Sequence, residues 1–426
     1  MRNLARLFLL ASIMFLSNSC FALNEWTLVV YLAGDDNNSA SLEESQVKDL
    51  GELSNIGSRH GFEIVVQADR SKKLSEFLRQ SYSDPDYSGA KRYLVKKDKW
   101  EVEEKLGEIN TGSPYALWDL LKYVSAKHPA KRYCLIINSH GSGIFSWRGE
   151  GKVGSSSPGS VNFDPSRFVA YDDTDDDCLT IFEISAVLLA FRERLNGGRK
   201  LDLIGFDACM AGMVEALYQL REGCDVMVAN PSLTPGSGFD YEGISAGIAR
   251  NLNITPDALS EVITKTFIES VSSNRDPQIL SSWRTAKAQE LTFSLNNLSM
   301  ELLKAMKQTG RKFRLSNLTS YGSKSMYWDL GRILRALQNS DSNLNGASNA
   351  QVVAQMALEA ETSMKAARVS MWYDGSYAEN KVSGIAIAWP EPEQYRSYRT
   401  FYKALDFSKA TKWDEVLDLR EIDVQE

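Results

Sequence analysis

Residues 133–138 read Tyr-Cys-Leu-Ile-Ile-Asn and lead into Ser139-His140-Gly141, and residues 201–206 read Leu-Asp-Leu-Ile-Gly-Phe and lead into Asp207-Ala208-Cys209. Short apolar runs bounded by glycine and polar residues are typical of buried strands in a parallel sheet. In open α/β sheets, the functional site lies at the carboxyl ends of the strands. We therefore expect His140 and Cys209 to leave neighbouring strands at one edge, as a base and a thiol within reach of each other.

The composition is that of an ordinary globular protein with room for a large core. The chain has 426 residues, of which 43% are hydrophobic and 24% are charged, and its formal net charge is −7. Nucleic-acid binding needs a basic face, and no cluster of Lys and Arg offsets the negative balance. The sequence therefore predicts no nucleic-acid partner.

The first 22 residues have the layout of a secretory signal peptide. Arg2 and Arg6 precede the apolar run at residues 7–16, which is too short to span a bilayer, and Ala22 is a suitable cleavage site. Acylation of Cys20 is the alternative, but Ser17 stands where a lipoprotein signal expects an aliphatic residue. We predict export to the periplasm or the medium, with no later membrane span and with a lipid anchor at Cys20 as the less favoured option.

Strands that alternate with helical patterns predict a parallel sheet in residues 23–250. Trp26–Leu32 and Phe62–Gln67 are predicted strands, and Arg92–Leu94 is predicted to be a short edge strand. Residues 251–426 are predicted to be largely helical, with one late strand at Gly384–Trp389 that joins the same sheet.

Only one of the three histidines, His140, sits where a strand ends, so His60 and His128 are expected at the surface. Cys209 precedes a predicted helix at residues 213–221, whose positive end, together with an imidazole, would favour the thiolate. The backbone N–H groups of Gly141 and Cys209 could receive an oxyanion. One such donor is commonly worth about 3–4 kcal/mol.

Several acidic residues and cysteines leave more than one interpretation open. Asp207 lies on the same strand face as Cys209 and could pair with a basic substrate, or it could serve as a turn former or helix partner. Asp172, Thr174, Asp176 and Glu183 have part of the spacing of a calcium loop, but Asp177 occupies the position that needs glycine. An exposed acidic loop before a helix capped by Thr180 and Glu183 is favoured. Cys178 and Cys224 could form a disulfide, whereas Cys134 is expected to be a buried thiol.

Segments along nearly all of the mature chain resemble those of the clostripain-type cysteine peptidases, which share a structural clan with caspases, gingipains and legumain. They are Trp26–Tyr31, Asn110-Thr111-Gly112, Ser139–Gly143, Gly384–Trp389, Lys412–Glu415 and, most specifically, Leu203–Met213. The resemblance implies a three-layer α/β/α sandwich with a mostly parallel central sheet and a dyad of Cys209 and His140. It also implies a pocket for Arg or Lys lined by Asp207, and self-cleavage in the loop at residues 141–170, for which Lys152 is the first choice.

The sequence departs from the family pattern in the pocket. The family often has an acidic residue in a Pro-Gly-Asp-Gly segment, and here Ser237 occupies that position within Pro235–Gly238. The prediction that only Arg or Lys is accepted at the cleaved bond is therefore weaker. We predict a secreted cysteine endopeptidase that needs no cofactor, acts on proteins or peptides, and exists as a monomer or a self-cleaved two-chain form. An inactive binding module of the same fold and a cysteine amidase for a small amide are the alternatives.

Overall fold

The computed structural model describes residues 23–35, 40–70, 89–145, 168–271, 278–309, 318–321, 326–339, 344, 346–374 and 381–422. The predicted signal peptide and Lys152 lie outside these ranges. Structural statements below concern the described residues.

Fourteen strands are described in these ranges. In chain order they are β1 (Asn24–Gly34), β2 (Phe62–Arg70), β3 (Gly89–Lys96), β4 (Lys99–Gly107), β5 (Ala130–Asn138), β6 (Val169–Asp172), β7 (Asp177–Leu179), β8 (Leu201–Asp207), β9 (Cys224–Ala229), β10 (Ile279–Arg284), β11 (Ser320–Tyr321), β12 (Tyr327–Asp329), β13 (Arg368–Tyr373) and β14 (Ala386–Ala388).

Twelve α-helices accompany the strands in the described ranges. They are α1 (Ala40–Ile56), α2 (Pro114–Lys127), α3 (Ile181–Arg194), α4 (Val214–Gln219), α5 (Tyr241–Arg250), α6 (Pro256–Val271), α7 (Ala288–Thr309), α8 (Leu330–Gln338), α9 (Ala350–Ala367), α10 (Pro392–Ala404), α11 (Asp406–Ala410) and α12 (Trp413–Ile422). None of them combines the length and apolar character that a membrane span requires.

The central sheet has nine strands in the order β13-β10-β9-β8-β5-β1-β2-β3-β4. The five strands from β9 to β2 are parallel, and β3 and β10 run antiparallel to their neighbours. Tyr133–Ile137 of β5 is buried throughout, as expected of a strand covered on both faces.

Helices cover both faces of the sheet and give the three-layer α/β/α sandwich that the family resemblance implies. Apolar residues of α1, α5 and α6 form a core on one face. A second core on the other face collects residues from α2, α3, α4 and the later helices α7–α12. The predicted capping box is confirmed, because Thr180 and Glu183 bond reciprocally at the start of α3.

The sequence analysis was wrong about parts of the sheet's edges. Arg92–Leu94 lies within β3, which is not an edge strand, because β4 pairs outside it. The charged, half-exposed sequence of β4 hides it from a search for apolar strands. The late strand does not join the central sheet, since β14 pairs with β12 in a separate three-stranded sheet. Instead, β10 and β13 from the region expected to be helical extend the central sheet.

The calcium and disulfide interpretations find no support in the described residues. Oxygens of Asp172 accept hydrogen bonds from Thr111, Thr174 and Asp175, and Glu183 accepts one from Thr180 N–H, so both carboxylates serve the chain's own turns. No group of three or more His, Cys, Asp or Glu side chains there is arranged to hold a metal ion. Cys178 and Cys224 are both free thiols.

Candidate active site

The register of β5 and β8 sets the geometry of the site. Asn138 and Asp207 form the last paired position of these two parallel strands. The Ser139 N–H then donates a 3.3 Å hydrogen bond to the Asp207 carbonyl, so the two chains stay side by side beyond the sheet. His140 and Cys209 each follow two residues after that last pair and are both half-buried.

Gly141 lies directly against the backbone of Cys209. A Cβ atom at position 141 would overlap the Cys209 carbonyl oxygen and would lie 3.0 Å from the Cys209 nitrogen. Only glycine allows the two chain segments to approach this closely. The backbone at Gly141, directly after His140, is therefore packed against the backbone of Cys209.

A tight turn follows the cysteine. Met210 has a positive φ of 55°, which is unusual for a residue with a side chain. The turn is held by the N–H groups of Met210 and Gly212, which donate to Ser232 and Asn230 at 2.7 and 2.9 Å. Neither the Cys209 N–H nor the Gly141 N–H donates a hydrogen bond to another described residue.

The environment of the Cys209 sulfur differs from the sequence expectation. Burial raises the pKa of the thiol, the N–H of Thr234 at 3.3 Å from Sγ acts to lower it, and the charge of Asp207 raises it further. The predicted helix at 213–221 is only six residues long and begins at Val214, five residues after the cysteine. Both hydrogen-bond partners of Sγ are thus backbone groups of Thr234 in a loop, since the thiol also donates to the Thr234 carbonyl at 3.8 Å.

Asp207 is a buried carboxylate with two unequal oxygens. Its Oδ2 accepts hydrogen bonds from Asn138 Nδ2 at 2.8 Å, Phe239 N–H at 2.9 Å and the Tyr241 hydroxyl at 3.0 Å. Its Oδ1 is also buried but has no hydrogen-bond partner among the described residues. Burial raises the pKa of Asp207 to about 6, against the lowering effect of the three donors.

A second buried acid lies behind Asp207. Asn138 Nδ2 also lies 3.0 Å from Asp49 Oδ2 of α1, and the Asn138 Oδ1 accepts a hydrogen bond from Gln46. The pKa of Asp49 is raised well above its ordinary value, by burial and then by the charges of Asp207 and Glu52. The Asn138 amide therefore links the carboxyl groups of Asp49 and Asp207.

The loop at residues 230–239 contacts both the sulfur and the carboxylate. Thr234 lies at Cys209, as described above, and a Cβ atom at Gly238 would lie 2.5 Å from Asp207 Oδ2. Ser237, in the position where the family pattern has an acid, is exposed.

His128 does not lie at the surface, contrary to the sequence expectation. It is buried between Glu63, 2.9 Å from Nδ1, and Glu103, 2.8 Å from Nε2. Burial alone would lower its pKa, but the two carboxylates raise it to about 9. Since it precedes β5, it lies at the sheet edge opposite to His140.

Three contributors to the site were not predicted from the sequence: Asp49, Thr234 and Tyr241. Each comes from a helix or loop that packs on the strand ends, far along the chain from the residue it contacts. The one local signal was Asn138, a polar residue that ends an otherwise apolar strand.

Sequence comparison assigns the family. Residues 30–419 match the Clostripain family, Peptidase C11. This chain belongs to the clostripain family. It is 26% identical over 321 residues to clostripain of Hathewaya histolytica, a match that covers 66% of this chain and 57% of clostripain. The chain thus matches little more than half the length of that relative.

Solved structures of C11 proteases share the fold of this clostripain-family chain. A secreted C11 cysteine protease from Bacteroides thetaiotaomicron, in complex with an irreversible peptide inhibitor, has a TM-score of 0.62 at 18% identity and covers 92% of this chain and 99% of its own. An inactive zymogen C11 protease from Parabacteroides distasonis has a TM-score of 0.63 at 16% identity, with coverage of 91% and 98%.

Proposed function

We propose that this chain is a cysteine endopeptidase that uses Cys209 as nucleophile and His140 as base. The observation that carries this proposal is the packing of Gly141 on the Cys209 backbone, at the carboxyl edge of two paired parallel strands. His140 accepts the thiol proton as Sγ attacks the peptide carbonyl carbon. The thioester forms as the C–N bond breaks, and the leaving amine takes the proton from His140. Water then hydrolyses the thioester.

The raised pKa of Cys209 gives the base a defined role. Because burial raises the pKa of the Cys209 thiol, formation of the thiolate depends on transfer of its proton to His140 as the substrate is attacked. The Thr234 N–H, 3.3 Å from the sulfur, stabilises the thiolate as it forms. The N–H groups of Cys209 and Gly141 are the proposed donors to the oxyanion, each worth about 3–4 kcal/mol.

The proposed specificity is for Arg or Lys at the cleaved bond. The Asp207 Oδ1 is a buried acceptor without a partner among the described residues, and a guanidinium or ammonium group would satisfy it. Ser237 would line the rim of this pocket and supplies a hydroxyl instead of a second charge. We therefore propose a preference for basic residues that depends on one carboxylate.

Self-processing after Lys152 and export belong to the same proposal. Residues 151–154 read Gly-Lys-Val-Gly, in a segment poor in large apolar residues. Lys152 is a basic residue and therefore fits the specificity proposed for Asp207. Of the structurally similar proteins, one is a secreted protease and one is an inactive zymogen, which supports export and activation by cleavage. The proposed active form is a monomer of two chains.

Peptide hydrolysis by purified variants tests the proposal. Fluorogenic peptides with Arg, Lys or Leu at the cleaved bond are incubated with the parent, Cys209→Ala, His140→Ala and Cys224→Ala. We expect Cys209→Ala and His140→Ala to lose at least about 1,000-fold in kcat/KM. Cys224→Ala, which removes a buried free thiol from the opposite end of the neighbouring strand, should remain active.

The same assay separates the alternatives. Activity that survives Cys209→Ala would overturn the proposal in favour of a binding module with a contaminating peptidase. Hydrolysis of a small amide such as benzoyl-arginine amide, with no peptide cleaved by any preparation, would indicate an amidase instead. If mass spectrometry finds only an intact chain in the active parent, the proposed cleavage after Lys152 is wrong.

A further inference from the structure

The chain segment that follows His140 is hydrogen-bonded to a tyrosine that lies far along the chain, Tyr327. The Phe145 N–H donates a 2.8 Å hydrogen bond to the Tyr327 hydroxyl on β12. That hydroxyl lies 2.7 Å from the Ser142 carbonyl and 3.1 Å from the Phe145 carbonyl. A hydroxyl has one hydrogen and accepts through its lone pairs, so it accepts from Phe145 and donates chiefly to Ser142.

The ring of Tyr327 fits the same segment. A Cβ atom at Gly143, whose φ is +71°, would lie 2.5 Å from Cζ of Tyr327. Phe145 is fully buried and stacks on Tyr398 with ring centroids 4.4 Å apart, and on Tyr327 at 5.9 Å. Ring and hydroxyl together fix the backbone between Ser142 and Phe145.

The other side of the segment is held by β6. Ser139 Oγ accepts a 3.1 Å hydrogen bond from the Tyr171 N–H, and the Ser142 N–H donates to the Phe168 carbonyl at 3.2 Å. His140 therefore sits in a backbone segment held by β6 near the strand end and by Tyr327 farther along. The three hydrogen bonds of the Tyr327 hydroxyl given above are all to the chain after the histidine, not to the histidine itself.

We propose that Tyr327 is a positioning residue for the reaction. Its hydroxyl holds the Ser142–Phe145 backbone so that His140 and the Gly141 N–H stay aligned with Cys209. The inference rests on the proposed peptidase function. In the proposed two-chain form, a cut after Lys152 severs the chain seven positions beyond Phe145, so the hydrogen bonds of Tyr327 are among the contacts that hold the backbone before the cut.

Tyr327→Phe tests the hydroxyl, and the chain offers a matched control. Tyr321 on β11 is the cross-strand partner of Tyr327, is equally buried, and donates its hydroxyl to Asp329 at 2.8 Å. Each Phe variant removes one buried phenolic oxygen from the same small sheet. We expect kcat of Tyr327→Phe to fall about tenfold with KM changed by less than about twofold, and kcat of Tyr321→Phe to stay within about twofold of the parent.

Alkylation of Cys209 by iodoacetamide provides a readout that needs no peptide cleavage. Its rate is followed against pH in the parent and both variants, and we expect only Tyr327→Phe to shift the profile. A parent that cleaves no peptide would count against the proposed function, whereas the alkylation profiles would still test Tyr327. Equal kcat and equal profiles for the two Phe variants, at equal thermal stability, would overturn the inference.

Gly143→Ala perturbs the same contact from the loop side. It serves as the second variant if thermal unfolding shows that Tyr327→Phe is not folded. The added methyl must displace the Tyr327 ring, so a folded Gly143→Ala protein should show the same loss of kcat and the same shift in the alkylation profile. A folded Gly143→Ala protein with parental values would also overturn the inference.

Discussion

The amide of Asn138 donates a 2.8 Å hydrogen bond to the carboxylate of Asp207, across the last paired position of β5 and β8. The same nitrogen lies 3.0 Å from the buried acid Asp49. Burial outweighs the hydrogen bond from Asn138 and raises the pKa of Asp207 to about 6, so the proposed pocket for a basic side chain has a carboxylate whose charge is costly to maintain. Two predictions concern that charge.

Asp207→Asn should make the folded protein more stable above pH 6. The pKa of Asp207 is raised to about 6 in the folded state, so its stabilising effect is present below its ordinary pKa and is lost as the pH rises through 6. At pH 8 the carboxylate costs up to about 3 kcal/mol, which the neutral amide would recover. Urea unfolding at pH 5 and pH 8 measures this, and a gain that does not increase with pH would contradict it.

The affinity for basic substrates should follow the ionisation of the same group. As the pH falls through about 6, Asp207 becomes protonated, and KM for an Arg peptide should rise about tenfold for each pH unit below that value. KM for a Leu peptide should not show this change. Steady-state kinetics between pH 5 and pH 8 tests the difference. In Asp207→Asn the rise in KM for the Arg peptide should be absent.

Gly141→Ala should abolish activity without unfolding the chain. The added Cβ overlaps the Cys209 carbonyl oxygen, so the proposed base and nucleophile are forced apart. We expect kcat/KM to fall at least about 100-fold. Gly51→Ala is the control, because nothing lies within 4 Å of a Cβ there and alanine favours helix α1 by about 1 kcal/mol. Similar activity of the two variants would refute this account of Gly141.

The free energy of unfolding should fall at alkaline pH as His128 loses its proton. Its pKa is raised to about 9 by Glu103 and Glu63, so the stabilisation is complete below about 6.5 and is lost as the pH rises through 9. The contribution is about 3 kcal/mol. His128→Gln should remove this part of the pH dependence of the unfolding free energy, while the exposed His60→Gln should retain it. An unchanged slope in His128→Gln would show that the two ion pairs contribute nothing.

The central strands were predictable because their amino-acid sequences reflect the buried environment in which they lie. β1, β5 and β8 are runs of buried apolar residues, and such runs identify strands covered on both faces. The charged strand β4 carries no such signal. The apolar run around β14 predicts a strand but not the sheet that it joins, because its pairing partner lies elsewhere in the chain.

The candidate site was predictable only where it lies on strand ends. His140, Gly141, Asp207 and Cys209 follow β5 and β8 directly, so their placement could be anticipated from the alternation of strands and helices. Asp49 lies on a helix and Thr234 in a loop, and both reach the site through tertiary packing that no local pattern encodes. Desolvation by these surrounding elements raises the pKa of Cys209, an effect that a local sequence pattern does not encode.

The antiparallel pair β10 and β13 has a practical consequence for anyone who shortens this protein. A fragment that stops at residue 250 contains both proposed reactive residues but leaves the fully apolar Val226–Ala229 stretch of β9 with open hydrogen-bonding groups along one side. An edge strand with unpaired backbone groups can pair with strands of other chains and cause aggregation. This fragment would therefore be expected to precipitate, even though it holds every group proposed to contact the reacting atoms.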